Sequence, residues 1–201
     1  MEGVKIDFWH DFASTYSYPA AMRIADLAAA RGVEVVWRPF LIGPIFAAQG
    51  WRDSPFNLYP VKGRYMWRDM ERICQTLKLP LKRPEPFPQN SVLAARVALS
   101  LEGEMRARFT RAAYHAEFGE GRAIAERAEI AAIIAGLGLS AEATLANALS
   151  ETNKDRLKRQ SAEAQAIGLP GAPCVVTEER EIFWGNDRLE QALDWAVGVR
   201  R

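Results

Sequence analysis

The chain is poor in cysteine and histidine and has almost no excess of charge, and each shortage removes a class of function. Cys74 and Cys174 stand far apart, with no CxxC pair and no metal-ligand spacing. That argues against disulfide exchange and a zinc site, and reads as two buried thiols. His10 and His115 are the only histidines, and neither is assigned a catalytic role; a structural hydrogen bond is the expected use of His10. Twenty-six basic and 25 acidic residues leave a formal net charge of +1 over 201 residues, so no field recruits nucleic acid or an anionic membrane. No stretch approaches the roughly 18 uninterrupted apolar residues of a membrane span, and the opening MEGVKIDFW lacks a basic segment followed by an apolar one. These features predict a soluble, cytoplasmic protein acting on a small molecule. There is no internal repeat, and Gly136-Leu137-Gly138 reads as a helix terminus rather than a phosphate loop.

What is present is a clear order of elements. Val4, Ile6 and Phe8 alternate with Lys5, Asp7 and Trp9, the period of a strand that buries one face. Ala20, Ile24, Leu27 and Ala28 recur at helical spacing between Tyr16 and Arg31, and Gly32 follows where a left-handed residue ends a helix. Val33, Val35 and Trp37 give a second strand, parallel to the first across a helical crossover. Gly43 to Pro60 has no period and reads as a loop lining or covering something. Helical patterns then occupy about a hundred residues, from Val61 to Ile167, interrupted by the proline-rich run Pro80 to Pro88. Strand character returns at Cys174 to Thr177 and Ile182 to Trp184, as a hairpin, before a last helix from about Asp187 to Val197. The two ends together, 1–45 and 168–201, hold the inventory of an α/β thioredoxin-like fold, β-α-β and β-β-α. The segment 46–167 reads as a loop and helical insertion domain.

Three short constellations carry chemistry. Between the first strand and helix, Ser14 and Ser17 keep the two-residue gap of a redox CxxC. A serine there can simply cap the helix. It also lies where unpaired amides and the positive dipole end favour a thiolate. Serine forms no disulfide, so the thiol must come from a ligand. The register is open, because Pro19 suits a first helical turn and not a position deeper in the helix. Second, Gly171-Ala172-Pro173 precedes the third strand. It can be a simple turn, or a cis X-Pro bond that leaves the Ala172 amide and carbonyl free to dock an extended peptide. Third, in Trp184-Gly185-Asn186-Asp187, Asp187 can cap the last helix. Alternatively, the helix end binds a carboxylate while Asp187 pairs with an α-amino group.

Taken together, DFASTYSY, GAP before a strand and WGNDRL before the last helix resemble the 2-hydroxychromene-2-carboxylate isomerase family. That family lies in the DsbA-like thioredoxin superfamily with the kappa-class glutathione transferases. The resemblance implies a glutathione-dependent cis-trans isomerase. In it Ser14 hydrogen-bonds the glutathione sulfur while Ala172, Trp184, Gly185, Asn186 and Asp187 hold the tripeptide. Thiolate addition to an unsaturated carbon would turn a double bond into a rotatable single bond. The resemblance also puts the polar substrate contacts at Asn57 and Asn90, although each fits a loop or cap role as well. Aromatic walls are expected among Trp9, His10, Tyr16, Phe46, Trp51, Tyr59 and Trp67, with Lys62 or Arg64 meeting a carboxylate. The implied partner is an aromatic or unsaturated carboxylate from aromatic catabolism, and related folds suggest a homodimer. Leu58 stands where a basic residue often follows the asparagine, and Thr15 where a proline often follows the serine. A kappa-like transferase and a non-catalytic thioredoxin-like binding protein are the alternatives.

Overall fold

The computed structural model describes residues 3–199. Met1 and Glu2, part of the opening run read above, lie outside them. A mixed four-stranded sheet in the order β2-β1-β3-β4 organises the chain. β1 (Lys5–His10) pairs in parallel with β2 (Glu34–Pro39) and antiparallel with β3 (Cys174–Thr177), which pairs antiparallel with β4 (Ile182–Trp184). Helix α1 (Ser17–Ala29) makes the crossover between the parallel strands. Its first residue settles the register of this segment: Pro19 falls in the first turn, where its missing N–H costs nothing.

The expectation that β1 buries one face is corrected. Ile6 and Phe8 enter the main core with Trp37, Val175 and Ile24. Trp9 is buried as well, on the other face, against Phe40, Ile45, Ala164, Leu169 and Cys174. The chain supplies a second apolar layer because the end of α9 (Glu151–Ala166) and the short helix α2 (Gly43–Ala48) lie over that side. The reading of Gly43 to Pro60 as a loop is also corrected, since it contains α2 and the single turn α3 (Pro55–Leu58). Both start at a proline-bearing first turn, and Ser54 accepts the Phe56 amide as a cap.

The helical block continues with α4 (Pro60–Leu77), α5 (Val92–Ser100), α6 (Gly103–Tyr114), α7 (Arg127–Gly136), α8 (Ala141–Ala148) and α9. At its end α6 passes into a π-helical turn, His115–Gly119. Such a turn places one residue out of phase and is often tied to a functional region. Here it carries Glu117 into the core. The last helix, α10 (Leu189–Ala196), starts later than expected, because Gly185 takes a φ of 120° and a 3₁₀ turn, Asn186–Arg188, intervenes.

Candidate functional site

The β1–α1 connection is a tight turn built on Asp11. Its main-chain carbonyl accepts the Ser14 amide at 2.9 Å, and its Oδ1 accepts the Ala13 amide at 2.9 Å. Ser14 in turn accepts the Ser17 amide at 3.1 Å and so leads into α1 without capping it. Among the described residues the amides of Thr15 and Tyr16 have no protein acceptor, which leaves two donors at the dipole-positive end of the helix. Thr15 turns its hydroxyl to the Met66 sulfur at 3.0 Å. Tyr16 donates to Asp69 Oδ2 at 3.0 Å, and burial together with that carboxylate pushes its phenol pKa up, so it stays a neutral donor.

The Ser14 hydroxyl donates to the Ala172 carbonyl at 2.9 Å. The Ala172-Pro173 bond is cis, the second of the two alternatives for this segment, but the carbonyl is not free, because Ser14 occupies it. The Ala172 amide has no acceptor among the described residues. Beside it the Trp184 indole lies over Gly171 so closely that a Cβ there would sit 2.7 Å from Nε1. Asp187 takes neither cap position, and its exposed carboxylate lies 3.5 Å from the Arg188 guanidinium. Asn186 is buried, and its main-chain carbonyl accepts from Arg23 Nη2 at 2.7 Å; its side-chain Oδ1 has no partner among the described residues.

These three segments line one cavity of about 1560 Å³. Ser14, Ala172, Trp184, Gly185, Asn186, Asp187 and Asn90 all border it. Asn57 does not: its amide is spent on the Asp53 carboxylate at 3.2 and 3.3 Å and on the Phe87 carbonyl at 3.3 Å. Asn90 borders the cavity while accepting the Val92 amide at 3.0 Å. Of the aromatic candidates, Tyr16, Phe46 and Trp51 form walls, joined by Phe56 and Phe87. Trp9 and His10 are buried in the core, and Tyr59 and Trp67 lie outside the lining. Lys62 and Arg52 are the cations at the cavity; Arg64 is exposed elsewhere.

His10 sits behind the turn with Nδ1 3.3 Å from the Tyr114 hydroxyl, and that hydroxyl donates to the Asp11 carbonyl at 2.8 Å. Complete burial, reinforced by the nearby Arg106 charge, brings its pKa down to about 3. It is therefore a neutral packing group at ordinary pH. Asp11 was not singled out from the sequence. The available signal was a lone acid in an otherwise apolar run between a strand and a turn.

Both cysteines are free and buried. Among the described residues there is no group of three metal-ligating side chains, and no helix is long and apolar enough to cross a membrane.

A family model described as the DSBA-like thioredoxin domain matches residues 5–195. The chain is 33% identical over 187 residues to the 2-hydroxychromene-2-carboxylate isomerase of Sphingobium xenophagum, covering 92% of this chain and 94% of that one. It is 26% identical over 199 residues to human glutathione S-transferase kappa 1, covering 92% and 87%. A solved 2-hydroxychromene-2-carboxylate isomerase structure superposes with a TM-score of 0.86 at 27% identity, over 96% of this chain and 94% of that chain. With a serine in the nucleophile turn and full-length similarity to these isomerases, the chain belongs to the 2-hydroxychromene-2-carboxylate isomerase family of DsbA-like thioredoxin proteins.

Proposed function

We propose that this isomerase is glutathione-dependent and that Ser14 holds the glutathione sulfur. The observation that carries the reading is the convergence of Ser14, Ala172 and Asn186-Asp187 on one cavity. The residues suit the tripeptide: the Ala172 amide and the buried Asn186 Oδ1 both lack partners among the described residues, and Asp187 offers an exposed carboxylate to an α-amino group. Bound glutathione would supply a thiolate that adds reversibly to an unsaturated carbon, making the double bond a rotatable single bond until the thiolate is expelled.

The residues of the chain have distinct parts in this reading. Ser14 has one hydroxyl hydrogen, now given to the Ala172 carbonyl. An extended peptide pairing with Ala172 would offer its own N–H to that carbonyl, releasing the Ser14 hydroxyl to face the sulfur. The unused amides of Thr15 and Tyr16 lie at the end of α1 where negative charge is stabilised. Phe46, Trp51, Phe56 and Phe87 enclose an apolar space beyond, and Arg52 and Lys62 at its border suit a substrate carboxylate. The volume, above the roughly 300–1,000 Å³ of a single-ligand pocket, suits a tripeptide and an aromatic carboxylate together.

A cytoplasmic setting, supported by two unpaired cysteines, and a homodimer through the helical block belong to the same proposal. So does Asn90 as a substrate contact; Asn57 would need to leave Asp53 to become one.

The test is isomerisation of a hydroxychromene carboxylate with and without glutathione, in the wild type and Ser14→Ala. Turnover that rises with glutathione and falls in the variant supports the reading. Absence of both glutathione binding and glutathione-stimulated turnover overturns it. The similarity to a kappa transferase favours a second reading, in which a stable conjugate is released. Product analysis separates the two.

A further inference from the structure

We propose that Asp11 is a positioning residue: its carboxylate ties the Ser14 turn to the neighbouring cavity-lining segment at Ile42, so that the sulfur position and the substrate wall keep one fixed spacing. The proposal rests on the glutathione reading above.

Asp11 is only 2% exposed, yet its two carboxylate oxygens serve different elements. Oδ1 accepts the Ala13 amide at 2.9 Å, inside the Ser14 turn. Oδ2 accepts the Ile42 amide at 2.7 Å, at the residue that leads into α2 and so sets the wall containing Phe46. Its main-chain carbonyl holds the Ser14 amide and the Tyr114 hydroxyl. One residue therefore joins the nucleophile turn, α6 and the segment leading into α2.

The surroundings do little to favour a charge there. Among the described residues no cation pairs with Asp11. Tyr114 faces it from α6, Glu117 from the π-helical turn and Ser91 from the start of α5. Burial pushes the Asp11 carboxyl up, against the pull of the Ile42 and Ala13 amides and the Ser91 hydroxyl. A buried anion without a cation adds little to net stability. What it provides is two acceptors on one rigid stem, and asparagine, of the same shape, has only one. Asp11→Asn can satisfy one amide, while its NH₂ group meets the other N–H. The tie is cut and the buried charge is removed with it.

The experiment compares wild type, Asp11→Asn and Ser14→Ala by amide hydrogen exchange of the ligand-free proteins, melting temperature, glutathione binding, kcat and KM. For Asp11→Asn we expect exchange at residue 13 or 42 to rise about tenfold or more and kcat/KM to fall about tenfold to a hundredfold, with the melting point within about 4 °C of wild type. Unchanged exchange at both residues, or unchanged kcat/KM, overturns the proposal. So does a loss of activity that merely follows a large fall in melting point. If Asp11→Asn does not fold, Ile42→Pro replaces it: Ile42 has a φ of −75°, which suits proline, and the change removes the N–H that Oδ2 accepts. Wild-type kcat/KM in a folded Ile42→Pro protein overturns the proposal. If wild-type protein neither binds glutathione nor responds to it, the glutathione reading fails, while the exchange data still decide whether Asp11 joins the two segments.

Discussion

The Ser14 hydroxyl and the Ala172 carbonyl meet at 2.9 Å across 158 positions of sequence, so the centre of the site is a contact between the two ends of the chain. Each partner is held by its own local device, the Asp11 turn on one side and the entry to β3 on the other.

Ser14→Ala removes one partly exposed hydrogen bond, which costs about 1 kcal/mol of stability or less. On the proposed glutathione reading its effect on turnover is larger, because the hydroxyl would face developing charge on sulfur: glutathione-dependent kcat falls about a hundredfold. Thermal denaturation alongside steady-state kinetics checks both halves.

Gly185→Ala strikes the other end of the proposed peptide site. Gly185 has a φ of 120°, and a Cβ would sit 2.5 Å from Asp187 Oδ1. The variant loses about 1–3 kcal/mol from backbone strain and displaces the Asp187 carboxylate. KM for glutathione rises by about tenfold while substrate recognition at the aromatic wall is spared. Kinetics at saturating glutathione recover most of the wild-type rate.

Glu117→Gln changes the pH dependence of stability. The wild-type carboxyl is fully buried, and neither oxygen has a partner among the described residues. Burial, with Asp11 nearby, holds its folded pKa well above 4.5. The folded state therefore keeps a proton that the unfolded state releases. This favours folding at low pH, and the advantage is lost by about 1.4 kcal/mol per pH unit as pH rises from the unfolded pKa toward the folded one. Glutamine has no such loss. The melting temperature of the variant, relative to wild type, climbs as pH rises above the ordinary carboxylate pKa; a difference independent of pH would sink the idea.

Gly63→Ala tests the cavity wall. Gly63 of α4 lies against the Phe56 carbonyl so closely that a Cβ would overlap it. The variant costs about 1–3 kcal/mol by overpacking and pushes Phe56 from its place. The apparent affinity for the aromatic substrate drops more than that for glutathione, as titration calorimetry of each ligand would report.

Much of the fold was legible because its strands and longer helices repeat apolar residues at their own periods. β1 could be read from Ile6 and Phe8, α1 from Ile24 and Ala28, and the β3–β4 hairpin from its charged turn. Helices α2 and α3 escaped because they bury almost nothing: Ile45 alone in α2, no residue in α3. Their proline starts were the remaining clue. Trp9 misled because the layer covering it comes from Ala164 and Leu169, more than 150 positions away. In the site, Ser14 and Ala172 announced themselves by spacing and by a following proline. Asp11 did not, since a carboxylate that works by accepting two main-chain amides carries no side-chain signature. Asn57 had a plausible position but an occupied amide, which only the geometry of Asp53 reveals.

Cys74 and Cys174 remain as spectators whose restraint matters. Burial drives their thiols to about 11 and about 12, so at neutral pH both are almost wholly protonated and shielded. Cys174 follows Pro173 in the chain but is buried behind the cavity lining with Trp9 and Phe40, and it gives its S–H to the Gly171 carbonyl at 3.2 Å. In the presence of an oxidant, a protein that hosts a visiting thiolate within reach of a reactive cysteine of its own would risk closing a mixed disulfide with it, two electrons passing to the oxidant. On the proposed glutathione reading, this one keeps its own sulfur protonated and shielded, so oxidants in its surroundings would consume the guest before they inactivate the host.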